Sequence, residues 1–311
     1  MVELLDLPAL SETASAPKLH AAAHASPFLP VALYRSQSGG DRTLVATITR
    51  RATMGTLLSP LDGGALWRFD EGGVIDVEIF AGALNGASAS DALGGANLAA
   101  IATPESGWEI IQFRDAELVA TRTYRLTGLL RGQGGTEHLI ATAKPAGSSF
   151  VLLDDALTPV AATLADIGRD FTWRYGPANR DVTESIYAET VFALSGTALL
   201  PRSPVYMDAV RDGGSGDIAI SWVRRTRVPG ERWDEADEPL GEASERYRLT
   251  VYAADGETVL RQIETAASAY TYTAADQAAD FGSLPASLTV SVAQLSDTIG
   301  AGVQTMRTID V

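Results

Sequence analysis

Five carboxylates in two short stretches are the residues best suited to acid–base chemistry. Glu109, Asp115 and Glu117 lie close together, and Asp154 stands next to Asp155. Two carboxyl groups about 5 Å or about 6.5–9.5 Å apart can hydrolyse a glycosidic bond. The sequence does not fix such a separation, and acidic residues are common in a chain that contains 39 of them. We therefore interpret these residues as surface acids and predict that the chain is not an enzyme.

Two histidines have the spacing of a metal-binding helix. His20 and His24 are four positions apart, so on a helix both imidazoles would face the same side. The glutamate of a metalloprotease motif is missing, and no third ligand lies nearby in the sequence. His138 follows a glycine turn without an obvious serine nucleophile. We predict no metal site and no cofactor.

A glycine-rich stretch at Gly132, Gly134 and Gly135 has the composition of a phosphate-binding loop. Such a loop is followed by a lysine and a helix, and the sequence shows neither pattern. We interpret the stretch as a structural turn, in which glycine permits positive φ. We expect Arg131 to brace a neighbouring carbonyl or carboxylate group.

Composition argues against several classes of partner. The net charge is −15, and an anionic surface repels nucleic-acid phosphates and anionic lipid head groups. We therefore expect neither nucleic-acid binding nor membrane insertion. The chain has no cysteine, so it forms neither disulfides nor sulfur-ligated metal sites. It also lacks a run of about 18 apolar residues and the basic N-terminal region of a signal peptide.

Alternating apolar and polar residues predict a mainly β protein. Residues 67–69 and 74–80 are two strand candidates separated by a turn. The apolar spacing changes in the strand around Trp108, and we expect a bulge near Gln112 to account for the change.

Changes in composition divide the chain into three regions. Residues 1–26 are rich in Ala and Ser, and we predict an extended N-terminal arm that is ordered only against another subunit or a distant part of the chain. Residues 27–200 are predicted to form a β-rich region, and a division into two subdomains at 27–160 and 161–200 is left open. Prolines then mark a linker, and residues 201–311 are predicted to form a C-terminal domain.

The C-terminal domain has the pattern of an immunoglobulin-like sandwich. Seven short strands are predicted, with Trp222 on the second and Tyr247 on the third. The pattern is similar to that of a fibronectin type III domain, and Trp222 is expected to lie in the core against residues such as Tyr247. An acidic loop between these strands contains Trp233. The loop is either a solvated excursion or an interaction loop, in which this tryptophan would anchor a contact.

Residues 107–118 and 123–136 resemble a segment of the tail-tip proteins of long-tailed phages. The first begins at Gly107-Trp108 and the second ends in the glycine turn. The similarity is to the C-terminal part of the large tail-tip, or host specificity, protein of gene transfer agents and related alphaproteobacterial siphophages. These proteins often carry the label glycoside hydrolase, which in that family comes from a barrel-like domain further upstream.

The resemblance implies a virion protein of the tail tip or baseplate, synthesised in the bacterial host cytoplasm. It implies roles in tail-end assembly and host attachment, and a trimer around the tail axis. Implied partners are a hub protein and other baseplate proteins, tail fibres and host-surface polysaccharide. Two alternatives stay open. One is a carbohydrate-binding surface module, and the other is a glycoside hydrolase accessory subunit that uses the carboxylates.

Overall fold

A computed structural model describes residues 1–10, 14–37, 40–105, 107–228 and 239–311. It confirms the prediction of a mainly β protein, since strands make up 45% of the residues and helices 7%. The chain forms two compact units, one of Met1–Leu10 with Ala16–Ala198 and the other chiefly of Leu199–Val311. None of the helices in the described ranges has the length and apolar character needed to cross a membrane.

The described part of the first unit contains 13 strands and one α-helix. In chain order they are β1 (Val2–Asp6), β2 (Leu19–Ala23), β3 (Val31–Ser36), β4 (Thr43–Ile48), β5 (Met54–Leu57), β6 (Ile75–Ile79), α1 (Ala89–Leu93), β7 (Leu98–Ala102), β8 (Trp108–Ala120), β9 (Thr123–Gln133), β10 (Ser149–Leu152), β11 (Thr158–Val160), β12 (Asp170–Pro177) and β13 (Ala188–Ala193). Short 3-10 helices occupy Glu137–Leu139, Leu164–Asp166 and Thr197–Leu199.

Six of these strands close into a barrel in the order β10-β5-β6-β9-β8-β7. Its apolar cluster includes Phe113 and Phe150, both without exposed surface. β6 forms within the predicted range 74–80, whereas the strand predicted at 67–69 does not form. Trp67 has a φ of 56° and is 63% exposed. The chain instead turns at Asp70, whose Oδ1 accepts the N–H groups of Gly72 and Gly73 at 3.2 and 3.0 Å.

The β1–β2 hairpin is the middle layer of the first unit. It belongs to the sheet β1-β2-β11 and packs against both the barrel and the sheet β13-β12-β3-β4. Ala21 contributes to a cluster with Trp173 of β12. Ala22, on the opposite face, contributes to a second cluster with Met54 and Val151 of the barrel.

This layer corrects the prediction of a separate extended arm at residues 1–26, whereas the expected packing against a distant part of the chain is found, since β2 pairs with β11. Leu5, Ala21 and Ala22 have no exposed surface, so the segment forms part of the core of the first unit. Periodicity did not identify the strands because both of their faces are buried, so neighbours such as Leu4 and Leu5, or Ala21 and Ala22, are apolar and the alternation is lost. The small alanine side chains allow the neighbouring layers to approach closely.

Burial of both faces of β8 likewise explains why the spacing of apolar residues changes around Trp108. Trp108 and Ile110 face the β1–β2 hairpin, whereas Ile111 and Phe113 belong to the cluster inside the barrel. Apolar side chains therefore lie on both faces of β8, each in its own cluster. The register between β8 and β9 does shift between Ile110 and Gln112, as predicted, but the apolar pattern of β8 needs no extra residue in that strand.

The second unit is a two-sheet sandwich with β14-β15-β18 on one side and β17-β16-β19-β20 on the other, where β21 also pairs with β19. Trp222 is 4% exposed, and its ring centroid lies 5.2 Å from that of Tyr247 in an edge-to-face contact. The two residues therefore join the sheets through the core, as expected. The elements are β14 (Val205–Arg211), β15 (Ile218–Val223), β16 (Tyr247–Tyr252), β17 (Val259–Thr265), β18 (Ala269–Tyr272), α2 (Ala274–Phe281), β19 (Ser287–Ser296), β20 (Gly300–Ala301) and β21 (Thr305–Asp310).

Enlarging the middle layer tests this architecture. We expect Ala22→Leu to lower the free energy of unfolding by about 1–3 kcal/mol, because the added methylenes have no space between hairpin and barrel. Ala120→Leu, at an exposed position of β8, is the matched control and should change stability by less than about 0.5 kcal/mol. Urea unfolding of the intact chain measures both. Equal effects of the two substitutions would mean that residues 19–23 are not a packed layer.

Candidate functional site

Three charged side chains meet inside the first unit, and none of them has exposed surface. Arg131 donates from Nε to Oε1 of Glu109 at 2.5 Å and from Nη2 to Oε2 at 2.9 Å. Nζ of Lys144 contacts the same Oε2. We call this group the ion cluster. It places two cations on one carboxylate, so its formal charge is +1.

Main-chain groups complete the hydrogen bonding of the ion cluster. Nη1 of Arg131 donates to the carbonyl of Asp62 at 2.9 Å, and Nζ of Lys144 donates to the carbonyls of Leu139 and Ile140. Burial lowers the pKa of Lys144, while the adjacent Glu109 carboxylate opposes that shift. The ion cluster therefore ties two loops to the β8–β9 hairpin.

A bulge in β9 places Arg131 in the ion cluster. Ile110 lies opposite Gln133 and Gln112 lies opposite Leu130, so two steps along β8 match three along β9. The irregularity is at the expected place, but the extra residue is on the partner strand, where Gly132 has a φ of 61°. Bulges commonly change the direction of a side chain.

The glycine turn continues from this bulge. Gly134 and Gly135 have φ values of 67° and 89°, which confirms the prediction of positive φ there. The N–H of Gly132 donates to Oε1 of Glu109 at 3.3 Å. The turn thus supports the buried carboxylate.

The ion cluster is suited to holding the fold and not to acting on a substrate. Both oxygens of Glu109 are occupied and shielded from solvent, which corrects its interpretation as a surface acid. Asp115 lies on the exposed part of β8 and pairs with Arg114 at 3.0 Å, and Glu117 is exposed further along. Sequence analysis missed Lys144, because a lysine far from Glu109 in sequence gives no signal of pairing.

The other candidates for chemistry are dispersed. His20 lies in β2 and His24 just follows it, and four residues of a strand span about 13 Å, too far for one shared ion. Asp154 accepts the N–H of Ala156 at 2.9 Å in a turn, and His138 lies in a 3-10 helix. Within the described ranges, no group of three or more His, Cys, Asp or Glu side chains is placed to hold a metal ion.

A groove of about 440 Å³ lies beside Trp108. Trp108 is 7% exposed, and its Nε1 donates to the carbonyl of Leu4 at 3.2 Å. Glu3, Tyr175 and Phe192 also line the groove. Burial raises the pKa of Tyr175, and the negative charge of Glu3 adds to the shift. This groove is the candidate binding site of the first unit.

The predicted site residues therefore separate into different environments. Arg131 and the three glycines belong to the ion cluster and its turn, and Trp108 lies at the groove. Trp222 and Tyr247 are core residues of the second unit. Trp233 lies outside the described residues.

Comparison with protein families gives a match that coincides with the barrel. Residues 52–151 are similar to the family described as Rcc01698-like, C-terminal. The matched segment starts just before β5 and ends in β10, so it contains every barrel strand and the ion cluster. No curated protein matches the chain.

The charge balance of the ion cluster can be tested with two substitutions. Glu109→Gln leaves two buried cations without an anion and should destabilise the chain by about 3–5 kcal/mol. Lys144→Met leaves a balanced Glu109–Arg131 pair and two carbonyls without their donor, at a cost of about 1–3 kcal/mol. Urea unfolding should rank Glu109→Gln as the more harmful. The reverse ranking would contradict the role assigned to Glu109.

A pair of glycine substitutions tests the bulge. Gly132 and Gly168 both have positive φ, at 61° and 72°. A Cβ at position 132 would lie 2.7 Å from the Cα of Glu137, whereas one at position 168 would meet nothing within 4 Å. Ala at either site carries backbone strain of about 1 kcal/mol. The clash should lower the free energy of unfolding of Gly132→Ala by about a further 1 kcal/mol or more. Similar midpoints of the two variants in urea unfolding would argue against a tight bulge.

Proposed function

We propose that this chain is a non-enzymatic structural component of a phage or gene-transfer-agent tail tip or baseplate, acting in tail-end assembly and host attachment. The observation that carries the proposal is the structure formed by residues 107–118 and 123–136, on which the tail-tip resemblance rests. They form the β8–β9 hairpin of the barrel. Their charged residues Glu109 and Arg131 are buried against each other, which suits a structural role for this segment.

The placement of the acids supports a non-enzymatic role. A glycosidase needs two carboxyl groups on either side of a substrate that enters from solvent. Glu109 is enclosed, while Asp115 and Glu117 lie on the exposed part of β8. A substrate therefore has no access to Glu109 as a partner for either of the other two.

The remaining parts of the proposal follow from the tail-tip resemblance. The chain is proposed to work in the virion, as a trimer around the tail axis next to a hub protein. Tail fibres and host polysaccharide are further proposed contacts. Its net charge of −15 suits a protein that stays apart from the packaged nucleic acid.

Immunogold electron microscopy tests the proposal. Antibodies raised against residues 199–311 are applied to particles released by the source bacterium and purified on a density gradient. We expect gold at the fibre-bearing end of the tail, and none on particles from a strain lacking the gene.

A protein found only in the soluble or cell-surface fractions, with no gold on particles, would overturn the virion assignment. Release of reducing sugar from host polysaccharide by the purified chain would overturn the non-enzymatic assignment. If reducing sugar is released, its rate of release should be compared with that of the Asp115→Asn variant, because this exposed acid can be replaced without disturbing the core.

A further inference from the structure

Two outer strands of the first unit, each with an edge on which no described strand pairs, lie beside the groove. β13 is the outer strand of the sheet β13-β12-β3-β4, and β1 is the outer strand of β1-β2-β11. An unpaired edge presents backbone N–H and C=O groups to any extended chain that reaches it. Residues 2–4 of β1 and residues 190–192 of β13 both line the groove beside Trp108. The groove thus lies next to two open edges.

The register identifies which groups of β13 face outward. The N–H of Ala178 donates to the carbonyl of Pro30 at 2.8 Å, so the even-numbered residues of β12 bond to β3. The odd-numbered residues therefore bond to β13, and Trp173 lies opposite Thr190. In β13 the even-numbered residues are consequently bonded to β12. The N–H and C=O of Val191 are left facing the open edge.

The outer edge of β1, on the other side of the groove, is already partly occupied by a side chain. The N–H of Leu7 donates to the carbonyl of Lys18 at 3.0 Å, so the odd-numbered residues of β1 bond to β2 and Leu4 faces away. Its carbonyl accepts from the indole of Trp108. β13 is therefore the edge better able to pair with an incoming strand.

The lining side chains indicate the character of the partner. Val191 is 64% exposed, and Phe192 and Tyr175 add apolar surface beside it. The Glu3 carboxylate accepts a hydrogen bond from the hydroxyl of Ser149 at 2.8 Å. Because the hydroxyl is neutral, this contact does not cancel the negative charge of Glu3. A basic residue of the partner complements this charge, whereas an acidic residue placed next to Glu3 would be repelled.

We propose that the open edge of β13 and the adjoining groove receive an extended segment of a partner polypeptide, which adds to the sheet as a further strand. Backbone hydrogen bonds would supply affinity, and alternate side chains would supply specificity. The segment would carry apolar residues at alternate positions and a lysine or arginine near Glu3. A bound sugar would use the aromatic rings but would leave the strand edge unpaired. The inference stands apart from the virion assignment, because the isolated chain displays the site.

Peptide selection on the intact chain tests the proposal. A displayed library of random nine-residue peptides is panned on the wild-type chain and counter-selected on Val191→Pro. Proline at position 191 removes the outward N–H and is tolerated at a strand edge. Val191→Thr keeps the N–H and the β-branched shape, so it is the matched control. We expect enriched peptides with alternating apolar residues and an excess of lysine and arginine.

Fluorescence anisotropy of the enriched peptides then separates backbone pairing from side-chain contact. Affinity should fall at least tenfold for Val191→Pro and stay within threefold for Val191→Thr. N-methylation of alternate peptide bonds in the ligand should also lower its affinity at least tenfold. This comparison needs no protein variant. Glu3→Gln should weaken binding of the basic peptides several-fold and reduce its dependence on salt.

Three results would overturn the proposal. One is a library without enriched sequences. The second is equal binding of the peptides and their N-methylated forms in both methylation registers. The third is binding of an oligosaccharide on a glycan array, with loss in Tyr175→Ala and no loss in Val191→Pro, which would assign the groove to a sugar. Immunogold labelling is unaffected by any of them, so failure here is distinguishable from failure of the proposed function.

Discussion

The enclosed carboxylate of Glu109 is the constraint on which the barrel depends. Removing an ion from water costs several kcal/mol, and only well-placed partners offset that cost. Here Arg131 and Lys144 supply the charge, and the main chain at Gly132 supplies a further donor. Because these groups come from β8, β9 and the loop before β10, their convergence fixes three segments at once. The glycine bulge belongs to the same arrangement, since a β9 without the bulge would point the side chain of Arg131 in a different direction.

A second constraint is the burial of the N-terminal hairpin on both faces. Ala21 and Ala22 each contribute to a different apolar cluster, so the hairpin joins the barrel to the neighbouring sheet. Asp6 adds a polar link, since its Oδ2 accepts the N–H groups of Ser195 and Gly196, both at 2.8 Å. The first unit is therefore held together through its N-terminal strands, although residue 6 and residue 195 are far apart in sequence.

These constraints leave binding to the periphery of the first unit. The interior acids are committed to the fold, and the exposed acids are not gathered into a site. One surface available for binding is the groove beside Trp108, with the edges of β1 and β13 along it. An assembly protein needs such surfaces more than it needs a reaction centre, and strand addition links subunits without requiring a deep pocket. The proposed tail-tip role and the proposed strand-binding edge are consistent with each other, yet each rests on different observations.

The sequence by itself determined the main strands of the second unit, although it did not reveal α2. In β15 buried and exposed residues alternate, so the period-2 pattern is visible there, and it placed Trp222 in a sandwich core with Tyr247. The sequence also determined the glycine turn, because positive φ at Gly134 and Gly135 is a local property of the backbone.

Only the tertiary structure decided the layering of the first unit and the pairing of its charges. Strands such as β2 are buried on both faces and lose their periodicity, so residues 1–26 resembled an arm. Glu109 resembled a surface acid for a related reason. Its partners Arg131 and Lys144 are 22 and 35 positions away, and contacts between distant residues leave no periodic pattern in a single sequence. The open edge of β13 is equally invisible there, because strand order is a property of the folded sheet.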